Sequence, residues 1–211
     1  MSTKSSLGVA FTIASICPAA ASAALPTPLS IVDVAAPPVN CVFNNAGPAT
    51  CTVITSDSVG SFTPPGDLCS ASVQFGNARL QPPTYPGVAP ALGAGTMTYL
   101  YRVDLTGVMG DSAKNCVTKL QLDFGSVVAR PYGPKGNADV FVVTSGGLGS
   151  FGLASADQIG STITFTFGAP ICPGTTSYSF GLASKSLNPV ESKATVFFSL
   201  GGSATTDVRV P

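Results

Sequence analysis

Few side chains in this sequence are suited to catalysis. The 211 residues include no histidine and no tryptophan, and Glu191 is the single glutamate. Without histidine, a serine or cysteine nucleophile lacks its usual general base, and a transition metal lacks its commonest ligand. Glycoside hydrolysis needs two carboxylates about 5 to 10 Å apart, but the spacing of the acidic residues in the sequence does not identify such a pair. The candidates are Asp104, Asp111, Asp123, Asp139, Asp157 and Glu191. We therefore expect no enzymatic activity, no cofactor and no metal site.

One glycine motif imitates a cofactor-binding fingerprint. Gly147, Gly149 and Gly152 satisfy the G-x-G-x-x-G pattern after the apolar run Val140–Val143. In dinucleotide-binding proteins these glycines open a helix, and an acidic residue follows about 20 positions later. Here the next residues lead into a strand pattern, and the segment 170–173 has no carboxylate. The motif therefore predicts a glycine-rich turn.

The cysteines indicate disulfides rather than redox or zinc chemistry, because the chain has no Cys-x-x-Cys. Cys41 and Cys51 bracket the turn-forming sequence Asn-Asn-Ala-Gly-Pro, which favours a bridge across a hairpin. Cys116 begins one predicted strand and Cys172 follows another, so they are the predicted long-range pair. Cys69 then remains as a buried free thiol. Other pairings stay open, because connectivity cannot be deduced from sequence alone.

Two tyrosines fall outside the strand patterns. Most Tyr and Phe residues occupy alternating positions that predict an inward orientation, whereas Tyr85 and Tyr132 lie in predicted loops. Because loop residues carry function more often than core residues, these two are the candidate binding residues.

Period-two alternation of apolar and polar residues dominates the chain, and no 3.6-residue period persists. In the clearest case Ile163, Phe165 and Phe167 alternate with threonines. Val140–Val143 is continuously apolar and predicts a strand covered on both faces. Pro- and Gly-rich turns separate the strands. We therefore expect an all-β, antiparallel β-sandwich of about eight to ten strands, immunoglobulin-like or jelly-roll, with little helix.

The first 23 residues have the pattern of a secretory signal peptide. Lys4 supplies the basic region, Leu7–Cys17 the apolar region, and Ala21-Ser22-Ala23 the small residues before the cleavage site. We therefore predict that residues 24–211 form a single secreted domain in an oxidising compartment, which is extracellular, at the cell surface or periplasmic. After cleavage we expect no membrane span.

Charge is scarce and balanced in this chain. Charged residues make up 9% of the sequence, with 10 basic and 10 acidic side chains, against roughly 25% in an ordinary soluble domain. No basic stripe is present, so nucleic acid is not an expected partner. Low net charge favours association. The expected partners are cell-surface or matrix components, or further copies of the chain.

Residues 97–200 resemble a known family in their order of strands and turns. The segments that carry the resemblance are Thr98–Val103, Leu120–Phe124, Ser161–Phe167 and Pro173–Phe180. Their pattern resembles the ectodomains of bacterial exosortase-sorted (PEP-CTERM) surface proteins. The resemblance implies a secreted bacterial surface protein and offers no catalytic residues. The C-terminal sorting signal of that family is not found in the printed sequence.

These observations favour a secreted, non-enzymatic extracellular structural or surface protein. One alternative is a pilus-like or self-assembling subunit in which residues 24–40 pair with the sheet edge of a neighbouring copy. A second alternative is a secreted hydrolase that uses aspartates.

Overall fold

The computed structural model describes residues 24–35, 51–64, 70–80, 96–108, 115–132, 136–146 and 149–211. The predicted signal peptide, residues 1–23, therefore lies outside the described residues. The described part of the chain is all-β and contains no helix, as the alternation predicted. Accordingly, these residues include no helix that is long and apolar enough to cross a membrane.

Fourteen strands follow one another along the described ranges. In chain order they are β1 (Thr27–Pro28), β2 (Ile31–Ala35), β3 (Cys51–Phe62), β4 (Ala71–Leu80), β5 (Met97–Asp104), β6 (Val117–Asp123), β7 (Arg130–Pro131), β8 (Asn137–Ala138), β9 (Val140–Ser145), β10 (Leu153–Ile159), β11 (Thr162–Ile171), β12 (Phe180–Ser184), β13 (Val190–Phe198) and β14 (Ser203–Val210). This number exceeds the predicted eight to ten, partly because β1, β7 and β8 are pieces of only 2 residues each.

Two six-stranded sheets make up the body of the fold. The first sheet has the order β1-β10-β11-β6-β13-β14, and the second sheet has the order β2-β9-β12-β5-β4-β3. The pairings within them are antiparallel except that of β2 with β9, which is parallel. β7 and β8 form a separate two-stranded ribbon. The predicted antiparallel β-sandwich is confirmed, with one parallel edge.

The inward faces of both sheets share one hydrophobic core. On β11, Ile163, Phe165 and Phe167 are buried, while the threonines between them are half-buried. The ring of Phe165 lies 4.9 Å from that of Phe180 on β12. The two sheets therefore interlock through aromatic contacts, and burial of this apolar face is the main driving force for folding.

One long side of the sandwich is closed by direct contact between the sheets. Gly60 on β3 lies against β14, and a Cβ atom at this position would overlap the carbonyl oxygen of Asp207. Only glycine allows the two backbones to approach so closely. Nearby, the hydroxyl of Tyr101 donates to the carbonyl oxygen of Arg209 at 2.8 Å. The edge strands β3 and β14 therefore cover each other, and this contact limits the pairing of either strand with another chain.

The opposite side is closed by the N-terminal segment, residues 24–35. Within it, β1 pairs with β10 in the first sheet and β2 pairs with β9 in the second, so the segment crosses between the sheets. At the crossing, the amide and the hydroxyl of Ser30 donate to the carboxylate of Asp139 at 2.9 and 2.7 Å. The amide of Asp139 donates back to the Ser30 hydroxyl at 3.0 Å. This reciprocal set of hydrogen bonds fixes the segment on its own sandwich.

The outer face of the second sheet carries a second, smaller core. Its buried members are Val32, Leu100, Tyr132, Ala138, Phe141, Val143 and Ala183. Tyr132 and Ala138 belong to the β7–β8 ribbon and its immediate continuation, so the ribbon lies over this face. Leu100, which interrupts the alternation of β5, is buried for this reason. Val140–Val143 is buried on both faces, as its continuous apolar sequence predicted.

The two tyrosines predicted as binding residues have different outcomes. Tyr132 is only 3% exposed, and its ring lies 4.7 Å from that of Phe141. It is therefore a core residue, and its ring is not free to contact a ligand, contrary to what its interpretation as a loop residue had implied. The sequence did not reveal its burial, because β7 is too short to display an alternating pattern. Tyr85 lies outside the described residues.

A disulfide joins Cys116 to Cys172, which is the predicted long-range pair. It links the residue before β6 to the residue after β11 across a sequence separation of 56. Closing a loop of this length is worth about 4 kcal/mol in the chain-entropy estimate. Cys41 and Cys69 lie outside the described residues, so the Cys41–Cys51 bridge and the free thiol of Cys69 stay predictions.

Candidate functional site

An open cleft of about 570 Å³ lies at one end of the sandwich. One wall is the segment Phe124–Val128, which follows β6, and the other is Ser184–Ser186, at the end of β12. Pro211, directly after β14, completes the lining. Segments from both sheets therefore meet at this cleft. Its size falls within the range of about 300–1,000 Å³ that is typical of small-ligand sites.

Tyr99, fully buried on β5, supports both walls of the cleft from inside the core. Its ring meets that of Phe124 edge to face at 5.4 Å, and its hydroxyl donates to the carbonyl oxygen of Ser186 at 3.2 Å. Burial raises the pKa of Tyr99 to about 12, and the hydrogen bond to Ser186 opposes this with a smaller lowering effect. The hydroxyl therefore stays protonated at neutral pH and continues to donate.

Backbone hydrogen bonds hold the walls in place. The amide of Val128 donates to the carbonyl oxygen of Ala183 at 2.9 Å, which joins one wall to the strand of the other. The amides of Phe124 and Gly125 both donate to the carbonyl oxygen of Ser161, each at 2.9 Å. Walls that are already ordered lose little conformational entropy when a ligand binds.

The polar side chains of the cleft carry one ammonium group and three hydroxyl groups. Lys185 is exposed, and it is the only charged side chain among the lining residues that the structure describes. Ser126, Ser184 and Ser186 supply the hydroxyls. The Ser184 hydroxyl accepts a hydrogen bond from the Ser186 amide at 3.2 Å, so its own proton remains able to donate to a ligand. This set offers several hydrogen-bond donors and one positive charge.

The acidic side chains considered for hydrolysis serve mainly as acceptors for neighbouring groups. Their partners are Thr106 for Asp104, Ser30 for Asp139, Ser155 for Asp157 and Arg209 for Glu191. Asp123 is exposed at the end of β6, and Asp111 lies outside the described residues. Within the described ranges, no three Asp, Glu or Cys side chains come together in a way that could hold a metal ion.

The glycine motif leads into a strand and not into a helix. Gly149 and Gly152 precede β10, which begins at Leu153 and pairs with β11. A dinucleotide site requires the N-terminus of a helix at this point, because the helix amides hold the pyrophosphate. The described part of the motif therefore lacks the structural context of a cofactor site. Gly147 lies outside the described residues.

A second region with repeated polar groups is the outer face of the first sheet. One row of side chains, in register across five strands, consists of Asp157, Thr164, Gln121, Thr195 and Thr205. Within the row, the amide of Gln121 donates to the hydroxyl of Thr164 at 3.0 Å. Lys193 and Asp207 form an exposed ion pair on the same face. This face is therefore rich in hydroxyl groups and has interspersed charges of both signs.

Sequence reasoning did not find the cleft. Its walls come from the segments 124–128 and 184–186, which are far apart in the chain and are brought together by the stacking of two sheets. The local signal is the polar run Ser184-Lys185-Ser186 after a buried strand. Such a run is equally typical of any exposed loop, so it does not distinguish a binding site.

Comparison with protein-family models, curated proteins and solved structures gives no match. The resemblance of residues 97–200 to exosortase-sorted surface proteins therefore stays a prediction.

Proposed function

We propose that this protein is a secreted, non-enzymatic structural or surface component that works outside the cytoplasm. The observation that carries the proposal is the outer face of the first sheet, where hydroxyl and amide side chains stand in register across five strands. These groups can both donate and accept hydrogen bonds. A broad face with this chemistry and low net charge is suited to contact with hydrated surface or matrix material.

The disulfide between Cys116 and Cys172 supports the proposed compartment. Structural disulfides form and persist in oxidising environments and are rare in the cytosol. The signal-peptide pattern of residues 1–23 is an independent argument for export. Both observations favour a protein that is extracellular, at the cell surface or periplasmic.

Assembly through residues 24–40 is the second candidate, and the structure lends it less support. In this stretch, residues 24–35 pair with β10 and β9 of their own chain and are fixed by the contacts of Ser30 with Asp139. Residues 36–40 lie outside the described residues. A segment that already completes its own two sheets does not need the sheet edge of a neighbour.

A hydrolase that uses aspartates is the third candidate. Several of its proposed carboxylates are engaged with backbone amides or neighbouring side chains, as described for Asp104, Asp139 and Asp157. A carboxylate held in this way contributes to local structure. We therefore rank hydrolysis below a structural or surface role.

Expression of the full chain in a bacterial host tests the proposed compartment. We expect the protein in the exported fraction, with an intact mass that lacks residues 1–23 and an N-terminus at Ala24. Retention of the uncleaved chain in the cytoplasm would contradict export.

Sedimentation with insoluble cell-envelope material tests the role of the polar face. Thr164→Lys places a new charge in the centre of that face, and we expect it to reduce the bound fraction. Ser145→Lys is the matched control, because Ser145 is exposed at the end of β9 in the other sheet. Equal sedimentation of both variants and the parent chain, or turnover of hydrolase substrates by purified protein, would argue against the proposal.

A further inference from the structure

We propose that the cleft between Phe124–Val128 and Ser184–Ser186 binds a sugar acid, that is, a saccharide unit that carries one carboxylate among several hydroxyl groups. The inference goes beyond the structural or surface role and does not depend on the compartment of the protein. It follows from the charge, the hydroxyl groups and the construction of the cleft.

The charge of the cleft points to an anion. Among the described lining residues, Lys185 carries the only charged side chain, and no lining side chain among them is a carboxylate. By comparison, Lys193 forms an ion pair with Asp207 on the outer face of the first sheet. A single ammonium group matches a single carboxylate better than a multiply charged phosphate, for which clusters of cations or arginine forks are usual.

The hydroxyl groups of the cleft point to a ligand that is itself rich in hydroxyls. Ser126, Ser184 and Ser186 border the space next to Lys185. Serine hydroxyls both donate and accept, which is also true of the hydroxyl groups of a sugar. Val127 and Val128 add apolar surface to one wall, which suits the C–H face of a pyranose ring.

The construction of the cleft points to a preformed site. Tyr99 contacts Phe124 with its ring and Ser186 with its hydroxyl, so one core residue sets the position of both walls. The hydrogen bond from the Val128 amide to the carbonyl oxygen of Ala183 fixes the distance between them. Binding therefore does not require a rearrangement of the fold.

Isothermal titration of the folded full chain with D-galacturonate tests the proposal, with D-galactose as the neutral probe and acetate as the probe without hydroxyl groups. We expect saturable binding of galacturonate and at least tenfold weaker binding of the other two. Equal binding of galactose would overturn the role of the carboxylate, and equal binding of acetate would overturn the role of the hydroxyls. Absence of saturable galacturonate binding would overturn the site.

Lysine variants locate the binding. Lys185→Met should weaken galacturonate binding about tenfold, since one charge-assisted hydrogen bond is lost, whereas Lys185→Arg should retain most of the affinity. Lys193→Met is the matched control and should bind like the parent chain. Equal weakening by Lys185→Met and Lys193→Met would show that the interaction is general charge attraction and would overturn the proposal. Urea midpoints confirm that the variants remain folded.

Trigalacturonate separates the two sources of such a ligand. Tighter binding of the trimer than of the monomer would assign the site to an acidic polysaccharide chain. Equal affinity per molecule would assign it to a free sugar acid. Either result supports the carboxylate and hydroxyl chemistry of the cleft, and neither depends on where the protein is located.

Discussion

The two outer faces of the sandwich are made from similar strands but have different surroundings. On the first sheet, the outward residues Thr162, Thr164 and Thr166 of β11 are half-buried among other polar side chains. On the second sheet, the outward residues Thr98 and Leu100 of β5 are fully buried. The difference arises because the β7–β8 ribbon covers the outer face of the second sheet. No described segment covers the outward residues of β11 in the first sheet in the same way.

This comparison shows what polar–apolar alternation measures. Alternation marks a boundary between core and solvent along a strand, and it weakens where both sides of a strand are covered. Val140–Val143 is the extreme case, since Val140 and Val142 belong to the main core while Phe141 and Val143 belong to the second core. An interruption of alternation, such as Leu100, is therefore a sign of a covering element.

The largest expected effect is a difference in stability between substitutions on the inward and on the outward face of the first sheet. Phe165→Asp places an unpaired charge in the main core, and we expect it to destabilise the protein by several kcal/mol, about enough to unfold a marginal domain. Thr164→Asp, on the outward face of the same strand, should be far milder. The measurement is the urea midpoint of both variants, and similar midpoints would mean that the faces of β11 are assigned wrongly.

The next largest effect is a difference in stability between substitutions on the outward faces of the two sheets. Leu100→Ala removes a fully buried side chain from the second core, and we expect a loss of about 2–5 kcal/mol. Thr166→Ala, at an outward position of the first sheet, should cost no more than about 1 kcal/mol. Thermal or urea unfolding measures both. A cost for Leu100→Ala as small as that for Thr166→Ala would show that the ribbon does not cover the second sheet.

A smaller effect concerns the inward face of the second sheet at alkaline pH. Burial raises the pKa of Tyr99 from 10.0 to about 12 and raises the pKa of Tyr101 well above 10.0, with the neighbouring Tyr99 as a lesser cause for Tyr101. The folded state therefore keeps protons that the unfolded state has released, so stability is unaffected below pH about 10 and falls as the pH rises from about 10 to 12. Urea midpoints across this range measure the fall.

The matched variant for this prediction is Tyr101→Phe, which removes one of the two buried hydroxyls. We expect a shallower loss of stability above pH about 10 in this variant. Spectrophotometric titration of the parent chain should show that Tyr99 and Tyr101 do not ionise near pH 10 while the protein is folded. Full ionisation of all 5 tyrosines near pH 10 with the fold intact would refute the burial of these hydroxyls.

The smallest effect belongs to the open face of the first sheet. Lys193 and Asp207 form an ion pair whose side chains are 65% and 71% exposed, and water and salt screen such pairs strongly. Lys193→Ala should therefore change the free energy of unfolding by no more than about 0.5 kcal/mol. A loss of more than about 2 kcal/mol would show that this face is also covered.

Much of the architecture was predictable, and the candidate site was not. The alternation of Ile163, Phe165 and Phe167 with threonines correctly predicted which side of β11 is buried. The pairing of Cys116 with Cys172 was also inferred from their positions at strand ends. Tyr132 was misjudged, because its burial depends on contact with Phe141, which is distant from any local pattern around Tyr132.

By itself the sequence determined the all-β class, the inward faces of the strands and the scarcity of catalytic groups, because composition and period-two alternation are local properties of the chain. Only the tertiary structure decided which outer face is covered, that residues 24–35 close their own sandwich, and that Lys185 shares a cleft with Ser126. Each of these features depends on contacts between segments that are distant in sequence, and a local pattern carries no information about which distant segment will supply the contact.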